Sequence, residues 1–149
     1  MPLPSPAGRL HVDVETAPEH RARAVHLYSL FGDVAAAIKT RDPSLPVAIA
    51  NGDLQYIDLI AEECKNLDIM GTNVYRGISA GGLYAEVKQK LGIPVVYTEF
   101  GCDAFNAKEM REDQIMQARY LIGQWQEIYE MSAGKGRAGN CIGGTIFQW

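Results

Sequence analysis

Cysteine is scarce in this chain and basic charge is not in excess, and each shortage argues against a class of function. The three cysteines, Cys64, Cys102 and Cys141, are odd in number, widely spaced and never in a C-x-x-C pair. A disulfide framework or a zinc site is therefore not expected, and the three read as single buried thiols. His11, His20 and His26 form no ligand set, so neither a metal nor a cofactor is expected. With 14 Lys and Arg against 18 Asp and Glu, the net charge is −4, which gives no general pull toward nucleic acid or anionic lipid. No apolar run approaches the roughly 20 residues that span a bilayer. The opening "MPLPSPAGRLHVDVETAPEH" lacks a basic region followed by an apolar stretch, so no signal peptide is read there. "SAGG" and "GKG" match neither G-x-G-x-x-G nor the Walker spacing, so no phosphate cradle is expected.

What is present is an alternation of helices and apolar strands over a one-domain length. After a Pro-rich start, His20 to Arg41 reads as a helix, with Leu27, Tyr28, Phe31, Val34, Ala35 and Ile38 at helical spacing and "DPSLP" as its stop. "PVAIA" is a strand ending in "NGD", where Asp53 is expected to cap a helix burying Ile57, Ile60, Ala61 and Cys64. "LDIMGTNVY" is a second strand, and a short helix through Tyr84, Val87 and Leu91 stops at Gly92. "IPVVYTEF" is a third. A long helix follows with Ile115, Ala118, Ile122, Trp125 and Tyr129 spaced for one buried face, its charges (Glu112, Asp113, Arg119, Glu127, Glu130) forming a solvated one. "CIGGTIFQW" is a fourth strand. Continuous apolar strands alternating with helices predict a parallel sheet with right-handed crossovers.

Polar residues gather at one end of those strands: Asn51 and Asp53, Asn73 and Tyr75, Glu99, then Gln148 and Trp149. In barrels and open α/β sheets alike, that edge is where ligands bind. Glu99 stands out, a carboxylate closing the apolar run Ile93 to Thr98. Such a group is either satisfied by specific neighbours or used. A closed (β/α)8 barrel takes roughly 250 residues, so four strands make about half of one. An open sheet fits the length, but it lacks the phosphate motif, and a chain stopping at Trp149 directly after a strand is expected to be a truncation.

"LDIMGTNVYRG", "IPVVYTEFGCDAF" and "GGTIFQW" together resemble the C-terminal half of the catalytic barrel of glycoside hydrolase family 2 and its clan A relatives, the β-galactosidases, β-glucuronidases and β-mannosidases. The likeness runs from about Pro46 to Trp149 and rests most on Thr-Glu-Phe-Gly-Cys-Asp closing a strand after an Asn-x-Tyr. It implies an α/β fold, a partial (β/α)8 TIM barrel comprising about strands 5 to 8 with their helices, over residues 20–149, after an irregular segment 1–19. It also implies a retaining β-glycosidase acting by double displacement on an oligosaccharide or other β-glycoside. That mechanism uses two carboxylates about 5–5.5 Å apart. By the resemblance Glu99 is the nucleophile and Trp149 the aromatic platform under the sugar; from their places at the strand ends, Tyr75 is expected to orient Glu99, and Asn51 and Asn73 to bind substrate. The family's acid/base is the Glu of an Asn-Glu pair, which this chain lacks. Glu15 and Glu19 do not take its place, and the isolated chain is expected to be inactive.

Plainer roles stand beside these. Glu99 as a structural acid, Tyr75 as an ordinary strand-end tyrosine, Asn51 and Asn73 as loop braces and Trp149 as a core residue all fit the same positions. Asp103 fits a loop-stabilising role and Arg76 a solvated one. The alternative from another class is a non-catalytic α/β half-barrel that binds carbohydrate or assembles with a partner. Self-association through exposed barrel edges is expected; nucleic-acid and membrane partners are not. A secreted or periplasmic full-length protein is compatible with this chain.

Overall fold

The computed structural model describes residues 18–147. Trp149 and nearly all of the expected N-terminal segment therefore lie outside the described residues. The chain divides into two compact units.

The first contains α1 (Pro18–Arg41) and α2 (Ile57–Glu63). Helix α1 stops where expected: the Asp42 carboxylate accepts from the Ser44 amide at 3.0 Å and its hydroxyl at 2.6 Å, a local turn that competes with helix continuation. Its buried face is only partly the one predicted: Tyr28 and Ala35 belong to it, but the other large apolar residues do not. Ala24, Tyr28 and Ala35 are buried, whereas Leu27, Phe31 and Val34 are exposed. Close approach explains this, because a Cβ on Gly32 would lie 2.2 Å from the Glu63 carbonyl oxygen. The seam against α2 is thus the small-residue stripe, with Tyr28 at its centre. The Cys64 thiol donates to the Tyr28 carbonyl at 3.3 Å. Asp53 does not cap α2: the N-cap is Tyr56, at φ 55°, with no side-chain cap.

The second unit is built on strands β1 (Ala48–Gly52), β2 (Ile69–Val74) and β3 (Val95–Phe100), a short ribbon β4 (Phe105–Asn106) with β5 (Arg111–Glu112), and strand β6 (Cys141–Ile146). Strands β1, β2, β3 and β6 form one parallel sheet in that order. This is the α/β sheet that alternating helices and apolar runs predict; the ribbon was not foreseen. Helices α3 (Leu83–Lys90) and α4 (Gln114–Glu130) pack on one face. Tyr84 of α3 stacks on Tyr97 at 5.5 Å between ring centroids, and Trp125 of α4 meets the edge of Phe100 at 5.1 Å. Met70, Leu83, Val87, Val95 and Phe100 are wholly buried. Gly92 ends α3 as expected, at φ +68°, its amide donating to the Val87 and Lys88 carbonyls.

Helix α4 is turned away from its predicted orientation. Ile115, Ala118, Ile122, Trp125 and Tyr129 are exposed, and Leu121, Gln124 and Ile128 are buried instead. Polar anchors fix the rotation. Gln124 Nε2 donates to the Gly77 carbonyl at 2.8 Å and the Gly101 carbonyl at 3.3 Å. Glu127 accepts from the Ser79 hydroxyl at 2.6 Å and the Ala80 amide at 2.8 Å. Gly123 completes this face, since a Cβ there would lie 2.3 Å from Ile78 Cγ2. Glu127 is thus a loop anchor rather than part of a solvated face, and Asp113 is the N-cap of α4, accepting from the Met116 amide at 3.0 Å.

Candidate active site

Parallel register brings the expected rim residues to one edge of the sheet. Gly52 pairs with Asn73, and Asn73 with Glu99, so the carboxyl ends of three adjacent strands present Asn51, Asn73 and Glu99 together. Tyr75 follows one residue beyond β2.

The direction of Glu99 depends on a bulge. Strict alternation along β3 would send Val95, Tyr97 and Glu99 to the same face, toward α3 and α4. Instead Thr72 pairs with Tyr97 while the next residue, Asn73, pairs with Glu99. Thr98 is the extra residue, and an extra residue re-aims the side chains beyond it. Burial follows the slip: Val95, Tyr97 and Phe100 are buried, while Val96, Thr98 and Glu99 are only partly so. The Thr98 hydroxyl donates to Asn73 Oδ1 at 2.6 Å, fixing the bulge to β2.

In that position Glu99 Oε2 accepts from the Tyr75 hydroxyl at 3.0 Å. Among the described residues Oε1 accepts no hydrogen bond, so the two oxygens differ in their partners. The Tyr75 phenol is pushed up to about 12, first by loss of solvent around its oxygen, then by its bond to Glu99 and the negative charges of Glu99 and Asp103. It therefore remains a proton donor at neutral pH.

Asn51 and Asn73 are both engaged. Asn51 is buried and donates through Nδ2 to the Asp53 carbonyl at 3.2 Å, and Asn73 accepts from Thr98. Trp149 lies outside the described residues, so the expected sugar platform is not seen.

Asp53 and Arg76 form a contact that sequence reasoning missed. Arg76 Nε donates to Asp53 Oδ2 at 2.7 Å, its NH2 group to Oδ1 at 2.5 Å, and its NH1 group to the Ala80 carbonyl at 3.1 Å. This two-pronged geometry replaces the solvated arginine of the sequence expectation. The available signal was an acid after one strand end ("NGD") and a guanidinium after the next ("YRG"), which a parallel sheet sets side by side. Among the described residues no three His, Cys, Asp or Glu side chains gather to hold a metal ion.

No family model, curated protein or solved structure matches this chain.

Proposed function

We propose that this chain is the C-terminal half of the catalytic (β/α)8 barrel of a retaining β-glycosidase, with Glu99 as nucleophile and Tyr75 as the residue that orients it. The observation that carries the proposal is the Tyr75–Glu99 hydrogen bond at the carboxyl-end rim of a sequentially ordered parallel sheet. A retaining nucleophile needs one carboxylate oxygen anchored and the other directed at the anomeric carbon. Glu99 fits that need, with Oε2 on Tyr75 and Oε1 accepting no hydrogen bond among the described residues.

In the proposed reaction Glu99 Oε1 attacks the anomeric carbon of an oligosaccharide or other β-glycoside. The bond to the leaving oxygen breaks, and that oxygen takes a proton from a second carboxylic acid. Water, deprotonated by the same second group, then displaces Glu99. Tyr75 holds the carboxylate in position through both steps. The acid/base would come from a barrel strand ending in Asn-Glu, outside this sequence. Without it the chain should not cleave unactivated glycosides, since general-acid assistance alone is worth roughly 10²–10⁴-fold.

Joining the chain to an N-terminal half that supplies the Asn-Glu strand should give a retaining enzyme. In it, Glu99→Gln should abolish turnover, because an amide keeps the shape but not the nucleophile. A mechanism-based fluorosugar should label Glu99. Label on another carboxylate, or near-normal turnover by Glu99→Gln, would sink the proposal.

A further inference from the structure

We propose that Asp53 is a positioning residue for the Tyr75–Glu99 pair: through its backbone and its fork with Arg76 it fixes the β2 exit from which the Tyr75 hydroxyl reaches Glu99. Tyr75 cannot owe its position to burial, since it is 53% exposed. The chain on both sides of it is tied to Asp53. On the near side the Asp53 amide donates to the Asn73 carbonyl at 3.0 Å, and the Asp53 carbonyl accepts from the Thr72 hydroxyl at 2.7 Å. On the far side the Asp53 carboxylate holds the Arg76 guanidinium by both oxygens.

Asp53 is itself held rigidly. It sits at φ +53°, a conformation a non-glycine residue adopts only at a cost. The Asn51 amide on its carbonyl and the Leu54 amide on its Oδ1, at 2.6 Å, keep it there. Arg76 continues the link to the Ala80 carbonyl, and the Ala80 amide is held by Glu127 of α4. Val74 and Tyr75 are therefore the two residues between anchors that converge on a single aspartate, and Val74 is buried whereas Tyr75 is exposed.

The test follows the Tyr75 phenol by NMR in the 149-residue chain, with tyrosine labelled at Cζ and the Tyr75 signal assigned by its loss in Tyr75→Phe. The charged groups acting on that phenol are Glu99 and Asp103. If Asp53 positions the pair, both Asp53→Asn and Arg76→Met should lower the Tyr75 midpoint from about 12 toward its ordinary value of 10.0, approaching the result of Glu99→Gln. Direct electrostatics would act differently. Losing the Asp53 charge would lower the midpoint, whereas losing the Arg76 charge would raise it. Midpoints that stay at the wild-type value, or that move in opposite directions, would overturn the inference. Should Arg76→Met fail to fold, Arg76→Lys decides, since it keeps the charge but not the fork: a lowered midpoint supports positioning and an unchanged one refutes it. The readout is the phenol and not turnover, so this inference and the glycosidase proposal can fail separately.

Discussion

Replacing Tyr97 with phenylalanine should stabilise the protein at neutral pH, and increasingly so in alkali. The Tyr97 side chain is 2% exposed and stacked on Tyr84. Its buried hydroxyl makes no hydrogen bond of good geometry, its nearest polar company being the equally buried Tyr84 hydroxyl, with which it interacts only weakly. A buried hydroxyl left unsatisfied costs about 1–3 kcal/mol. Deleting it also forfeits a few contacts of one atom, so a net gain of about 1 kcal/mol is expected near neutrality. The alkaline limb follows from burial, which raises both phenols above their ordinary 10.0. Above that pH the unfolded chain releases protons that the folded chain retains. The unfolded state then binds fewer protons, so stability falls as pH rises, by about 1.4 kcal/mol per pH unit for each such phenol. Tyr97→Phe removes one of the two contributions. Its advantage should therefore widen by about 1.4 kcal/mol per unit above pH 10. Urea unfolding of both proteins near pH 7 and at about pH 10 and 11 measures this directly. A variant less stable than wild type at neutral pH would mean that the hydroxyl is satisfied. A gap that stays constant with pH would mean that the phenol ionises as if it were in water.

Two further outcomes follow from packing. Gly71→Ala should cost at least about 3 kcal/mol, because its Cβ would lie 2.1 Å from the Ile49 carbonyl oxygen and 2.8 Å from Thr98 Cγ2, and a backbone carbonyl in a paired strand cannot yield as a side chain can. Gly82→Ala, with nothing within 4 Å of the new methyl, should stay within about 0.5 kcal/mol; equal costs in urea unfolding would refute the close approach of β1 and β2. The edges of the sheet, β1 and β6, have no further strand partner among the described residues, and β6 also exposes Ile142. The chain should therefore self-associate in sedimentation, and a monodisperse, cooperatively melting monomer would count against the half-barrel proposal.

The sheet was legible in the sequence because parallel strands buried on both faces leave uninterrupted apolar runs, and "IPVVYTEF" is one. Helix boundaries were legible for similar reasons: "DPSLP" carries its own turn chemistry, and Gly92 supplies a positive φ. The buried faces of α2 (Ile57, Ile60, Cys64) and α3 (Tyr84, Val87) were legible too, but that of α4 was not, and that of α1 only in part. Periodicity ranks residues by size and apolarity, so it favoured Ile115, Ile122 and Trp125 on α4. The rotation is set instead by hydrogen bonds from Gln124 and Glu127 to distant loops, and on α1 by Gly32 admitting α2. Neither kind of contact contributes to a hydrophobic pattern. The link between Asp53 and Arg76 was hidden for another reason: it joins two loops 23 positions apart and exists only once β1 and β2 pair.

The same distinction explains how a carboxylate can end an apolar strand without being buried among the helices. Tyr97 and Phe100 both face those helices, one against Tyr84 and the other against Trp125. They are three positions apart, an odd number, and a regular strand cannot put both on one face. The core therefore requires an extra residue between them, and Thr98 is that residue. Once it is inserted, Glu99 must leave the helix-facing side, and the nearest donor beyond the end of β2 is the Tyr75 hydroxyl. The aromatic spacing in "VVYTEF" thus encodes both the burial of Phe100 and the direction of Glu99. Core packing and the candidate site are two consequences of one bulge, and a substitution that removed the need to bury Phe100 would release Glu99 as well.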